Sequence, residues 1–415
     1  MQMKKYLFFA LATVGMLSSC SSDDVVGSET TPTDNNSLVP IRVGLGQMAT
    51  RGTGTVGGFN DATDNVWNKQ VVNVYMLYKD TIDLAVFDPL KDKTPLYDNM
   101  SFYTPDIAQT GLAVATDDSI KYYPTQKKFD FWGYRLDDAI VSGAPVRTKD
   151  SIYIDFVMNG SQDIMAAKAY PSLADTVALT TAEGFQDRAF SAYAARHGVQ
   201  PNLKFRHLLS RLTFDIIPGN EKAIDNATPV WIDSIKVVSP NSGRLTVACM
   251  GDLKGDKQGI AWNTKTAELP LMERPKLTGG VTKNDSLNLV KLNSVSLANR
   301  GHYETPGDAS TPFVADTVRI GEALLVAPEV TSYDVIVYLR QPTHQTYDDI
   351  TADVTRPVEY SYKDVIKLTG DAPFQAGYSY KVQIYLYGLQ DIQIKTTLGK
   401  WEEGETIVLR PEDQD

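Results

Sequence analysis

Between residues 71 and 389 apolar and polar positions alternate in short runs rich in Val, Ile, Tyr and Thr. Gly, Pro, Asn and Asp interrupt them. The runs include "VVNVYMLY" (71–78), "SIYIDFVM" (151–158), "LKFRHLLSRLTFDII" (203–217), "WIDSIKVV" (231–238), "YDVIVYLR" (333–340) and "YSYKVQIYLYGL" (378–389). A period of two sends successive side chains to opposite faces of an extended strand. Few windows hold a helical period, and residues 180–198 are the best helical or loop candidate. Many short strands separated by turn residues predict an all-β chain of antiparallel β-sandwiches. At 415 residues the chain exceeds the usual size of a single core, so two domains are expected. The break is placed near Gly198–Pro201, giving β-sandwich domains at 52–198 and 199–415.

The first residues follow another pattern. Lys4 and Lys5 precede a nearly continuous apolar run, Tyr6 to Leu17, and small residues lead into Cys20. The run is shorter than the roughly 20 residues that span a bilayer, so residues 1–19 read as a removable export signal. Leu17-Ser18-Ser19-Cys20 resembles the lipobox of bacterial lipoproteins, in which the cysteine sulfur is acylated and becomes the mature N-terminus. The plainer alternative is an ordinary signal with an incidental cysteine. "SSDD" (21–24) resembles the acidic tag of surface-exported lipoproteins in Bacteroides-type bacteria. Residues 20–37 are small, polar and acidic, the composition of a flexible tether.

The segment 38–51 carries an apolar stripe and a basic residue. Val39, Ile41, Val43 and Leu45 alternate with Pro40, Arg42, Gly44 and Gly46, so one face of a strand is apolar. Arg51 follows at once in the glycine-rich "MATRGTGTVGG". It is read two ways, as an exposed loop arginine or as a site where an Arg-specific protease cuts between Arg51 and Gly52. A cut there would let an apolar strand and its anchor leave together. The vacated edge could then accept another chain's strand.

Composition narrows the field. The formal charge is −11, and 42% of residues are hydrophobic, with 21 Tyr and 14 Phe. An acidic chain without Lys/Arg clusters is a poor nucleic-acid partner. Cys249 is the only cysteine besides Cys20, so acylation of Cys20 leaves no internal disulfide. "LTVACM" (245–250) places Cys249 in an apolar strand, where it reads as a buried thiol.

Several stretches together resemble the fimbrillin family, the type V pilins and related adhesins of Bacteroides-type bacteria. They are the lipobox at Cys20, the alternating strand with "ATRG" (49–52), "KYYPTQKKFDFWGYR" (121–135), "QDIMAAKA" (162–169), "LKFRHLLSRLTFDI" (203–216) and "AGYSYKVQIYLYGLQDIQIKTTLGKWEEGE" (376–405). They occur in family order across most of the chain. The resemblance implies two tandem transthyretin-like β-sandwich domains, export as an outer-membrane lipoprotein and Arg-directed maturation. It also implies assembly by donor-strand insertion with other fimbrial subunits, in a homo- or heteropolymer. A candidate donor strand alternates Ile392, Ile394, Thr396 and Leu398 on one face; "TIVL" (406–409) is a second candidate, and either could equally be a fixed strand.

Other chemistries are weighed against this. His197, His207, His302 and His344 lack metal-ligand spacing, and no Cys-x-x-Cys occurs, so neither metal nor cofactor is expected. His207 shares parity with Leu203 and Phe205 and reads as structural. No nucleophile elbow or phosphate loop is present. The acid pairs Asp117/Asp118 and Asp348/Asp349 read as turns or solvated loops, so the chain is expected not to be an enzyme. Phe129 and Phe131 share one strand face and Trp132 and Tyr134 the other; they read as core, with sugar stacking as the alternative. Asp followed by Ser or Thr and an aliphatic residue recurs at Thr81, Ser119, Ser151, Thr176, Ser234, Ser286 and Thr317. The triplet resembles the O-glycosylation signal of exported Bacteroides proteins; strand-entry chemistry explains it equally well. The expected protein is a cell-surface fimbrial subunit or adhesin, with a host or bacterial surface ligand as a further partner. The alternative is an uncleaved lipoprotein acting as a pilus anchor or glycan-binding module.

Overall fold

A computed structural model of the chain describes residues 38–45, 70–79, 97–104, 114–115, 121–124, 127–137, 139–180, 190–249, 259–274, 289–347, 350–387 and 392–399. Strands dominate it, so the chain is all-β. One six-stranded antiparallel sheet runs Arg206–His207, Met165–Lys168, Phe129–Arg135, Val71–Tyr78, Met100–Tyr103, Val114–Ala115. Its alternation sorts two cores. Phe129 and Phe131 enter a smaller cluster with Val72, Val74 and Phe205. Trp132 and Tyr134 face a larger one with Tyr75 and Ile154.

A four-stranded sheet has the order Val318–Val326, Ser210–Pro218, Ser379–Leu386, Ile392–Gly399. A third sheet is built on Trp231–Pro240 and the long hairpin of Ser332–Tyr347 with Ile350–Lys367. A fourth joins Ser151–Val157 to Ser242–Cys249, so it draws strands from both sides of residue 198. Residues Val39–Asp415 cluster as one compact unit.

Among the described residues two pairings depart from the antiparallel expectation. Ser210–Pro218 runs parallel to Ser379–Leu386, and Gly44–Leu45 runs parallel to Asn202–Leu203. All nine residues of Ser210–Pro218 are buried: Leu212, Phe214 and Ile216 enter the larger core, and the strand lies between two paired neighbours. Its polar residues are partnered there. Asp215 pairs with Arg319 across the sheet, and Lys381 Nζ lies 3.9 Å away. Cys249 is half-buried at the margin of the larger core.

Helices are short. Leu173–Thr180 runs up to the stretch expected to be helix or loop, 180–198, and Ala192–Arg196 lies within it, with Ser191 capping the latter by accepting from Ala194 N–H at 3.1 Å. His207 is buried, its Nδ1 2.7 Å from Asp163 Oδ2. Asp163 N–H donates to Asp137 Oδ2 at 3.0 Å, and Arg135 pairs with the other Asp137 oxygen. The histidine thus belongs to a buried polar network that ties the ends of three strands.

Candidate functional site

The segment Val39–Leu45 lies against the smaller core. Val39, Ile41, Val43 and Leu45 are 8%, 7%, 3% and 5% exposed, while Leu38 is 72% exposed. Burial therefore starts at the residue where the alternation starts. At about 1.5–3 kcal/mol for each buried aliphatic side chain, the four contribute at most roughly 6–12 kcal/mol.

Its backbone is held from two sides. Ile41 N–H donates to Lys121 O at 2.8 Å, and Val39 O accepts from Tyr123 N–H at 2.9 Å. These odd-numbered residues bond toward 121–123, where Pro40 forms an antiparallel bridge with Tyr122. Even-numbered residues bond the other way. Gly44 N–H donates to Pro201 O at 2.8 Å, opening the parallel pair with Asn202–Leu203. Between these points Pro40 offers no N–H to a ladder, and the Gln200 side chain fills in. Its amide nitrogen donates to Pro40 O at 3.4 Å, and its oxygen accepts from Arg42 N–H at 3.3 Å. Tyr123 donates to that same oxygen at 3.4 Å, and burial pushes its phenol well above the usual range. Only Gly44–Leu45 forms regular strand. The segment is a wedge between two short partners, and lifting it out would uncover an apolar trough with unpaired backbone on each side.

The trough has a glycine floor. A Cβ on Gly133 would stand 2.8 Å from Phe205 Cζ and 3.0 Å from Leu203 Cδ1. Glycine lets residues 202–206 settle on the Phe129–Arg135 strand, which brings Asn202–Leu203 within reach of Gly44–Leu45.

The other expected sites are scattered. Cys20, Arg51, Gly52, Thr81, Ser119, Ser286 and both acid pairs lie outside the described residues. Ile392, Ile394, Thr396 and Leu398 fall in Ile392–Gly399, which pairs antiparallel with Ser379–Leu386 at the sheet edge. Ser151 opens a strand and is half-buried, its N–H donating to Thr148 Oγ1 at 2.9 Å. Thr317 is exposed just before Val318–Val326, Ser234 is half-buried inside Trp231–Pro240, and Thr176 belongs to the helix Leu173–Thr180. Strand-entry chemistry thus describes Ser151 and Thr317 but not Ser234 or Thr176. The clamp by Gln200 was missed in the sequence; only its place directly before the strand Pro201 introduces could have marked it. Among the described residues no group of three or more His, Cys, Asp or Glu could hold a metal ion.

No family profile matches the chain, and no curated protein matches it. Among solved structures it is similar to a candidate cell adhesion protein from Bacteroides uniformis, 13% identical at a TM-score of 0.41, covering 88% of this chain and 99% of that one. A candidate cell adhesion protein from Bacteroides eggerthii is 11% identical at 0.38, covering 88% and 96%. The fimbrial anchor protein Mfa2 from Porphyromonas gingivalis is 10% identical at 0.30, covering 87% and 98%. Likeness at this identity and overlap assigns neither family nor function.

Proposed function

We propose that this chain is a fimbrillin-like surface lipoprotein, anchored through Cys20, that assembles by exchanging its N-terminal strand. Cleavage after Arg51 would release residues 38–51 with the tether, and a strand from another subunit, such as 392–398, would fill the trough. The observation that carries this reading is the wedge itself. Val39–Leu45 is buried along one face, bonded on both sides by short partners, and only a few residues upstream of Arg51. A strand woven into the middle of a long ladder could not leave without unfolding the sheet; this one bridges two fragments. The series of family-like stretches across the chain supports the same reading.

N-terminal sequencing of material recovered from the cell surface tests it. A start at Gly52 together with fibres by electron microscopy is the expected result. A start at lipidated Cys20 with no fibres overturns strand exchange and leaves an uncleaved anchor.

A further inference from the structure

A hollow of about 500 Å3 opens at the margin of the larger core, on the Trp132/Tyr134 face of the six-stranded sheet, at the end where Met165–Lys168 meets Arg206–His207. Its size falls within the range of small-ligand sites, about 300–1,000 Å3. The strand register explains why it exists. Ala166 stands between Tyr134 on one neighbouring strand and Arg206 on the other, and its methyl leaves a gap where longer side chains would close the face. In the next row Trp132 faces Lys168. Lys168 Nζ sits 4.5 Å from the centre of the Trp132 ring and 5.4 Å from that of Tyr170, with Asp130 Oδ2 at 3.5 Å.

One wall comes from the segment that also borders the N-terminal wedge. Leu203, Phe205 and His207 turn into the protein, so Asn202, Lys204 and Arg206 all turn outward and line the hollow. The opposite wall is Tyr170, which is 54% exposed, and the start of the Leu173–Thr180 helix. There Asp175 accepts from Ser172 N–H at 2.7 Å while Ser172 Oγ accepts from Asp175 N–H at 3.1 Å. That carboxylate is engaged in capping. The lining holds three cations and one carboxylate, and Asp130 pairs with Lys168 from beside it, so a small positive excess remains in a chain of net charge −11, a local reversal that would draw an anion inward.

We propose that this hollow binds an acidic sugar, one or two rings carrying a carboxylate. The Arg206 fork matches a carboxylate in a planar, two-bonded fashion, and Lys204 adds charge. Tyr170 offers a flat face for the C–H side of a pyranose, which a free inorganic anion would not use. The Asn202 amide both donates and accepts, as ring hydroxyls require. A polyanion is disfavoured because the rest of the acidic surface repels it. The assignment is independent of whether the chain is cut after Arg51.

The test uses the full-length chain with methyl glucuronide, N-acetylneuraminic acid, methyl glucoside and inorganic phosphate, followed by saturation-transfer NMR and tryptophan fluorescence. The two acids are expected to bind saturably, on the order of tenfold more tightly than the neutral glucoside, with affinity falling as salt is raised to about 0.3 M. Arg206→Gln should weaken acid binding on the order of tenfold, and Tyr170→Ala several-fold, each with an unchanged melting curve. Lys204→Gln, at an exposed position of the same lining, is expected to weaken acid binding several-fold and replaces either of the others if it melts early. Equal binding of the neutral glucoside overturns the proposal. So does no saturable binding of either acid, phosphate binding as tightly as the glucuronide, or wild-type affinity in the folded variants.

Discussion

Tyr134 links burial to pH. Its hydroxyl donates to Asn99 Oδ1 at 2.6 Å beneath the larger core. Burial pushes the phenol up to about 12, with hydrogen bonds to Asn73 and Asn99 opposing the rise. An unfolded tyrosine ionises near pH 10. Below about pH 10 both states hold the proton and the contribution is complete. Between about 10 and 12 the unfolded chain releases a proton that the folded chain retains, so stability falls as pH rises. Tyr75, Tyr123 and Tyr333 are shifted upward as well, chiefly by burial. Thermal melts by circular dichroism should therefore be flat on the alkaline side up to about pH 10 and drop above it. Tyr134→Phe should shrink the drop while costing about 1 kcal/mol at neutral pH. Asp163→Ala removes the acceptor facing buried His207 Nδ1 and is expected to cost about 1–3 kcal/mol in urea unfolding. The inward parity of His207 was legible from its place beside Leu203 and Phe205. Its partner was not, since Asp163 is 44 residues away in sequence and only strand pairing brings the two together.

Strands with one wet face were readable. Ser151–Val157 alternates half-buried and buried residues along its whole length, as its spelling of polar and apolar letters requires. The two faces of Phe129–Arg135 were equally plain, because two cores flank that strand. Ser210–Pro218 was legible as a strand but not in its orientation. Its parity marks Leu212, Phe214 and Ile216 as the core face, but nothing local tells a parallel neighbour from an antiparallel one. The hollow was hidden for a related reason: Lys168 and Arg206 become neighbours only through the shared register at Ala166. Two predictions belong to this scale. Gly133→Ala should lift Leu203 and Phe205 off the sheet, cost about 1–3 kcal/mol, and loosen the Gly44–Leu45 pairing measured by amide exchange. In trypsin digests, a cut after Arg51 should leave residues 38–51 associated until a peptide spanning 391–398 is added. Release of the fragment with that peptide, and not with a scrambled one, is the expected result by mass spectrometry.

For the whole molecule, net charge sets the terms of association. At −11, copies repel one another at low salt and approach more readily as the Debye length shrinks. Fibre growth from chain cut after Arg51 should therefore accelerate between about 10 and 150 mM salt, measured by light scattering. An intact mass of protein from its native host equal to that of the processed sequence would exclude sugars at all of Thr81, Ser119, Ser151, Thr176, Ser234, Ser286 and Thr317. The wedge also has a mechanical consequence. The bonds from Ile41 to Lys121, Tyr123 to Val39 and Gly44 to Pro201 all stand across the segment's axis. A pull applied along that axis from its N-terminal end loads them in shear, so they share the tension and yield together instead of unzipping one by one.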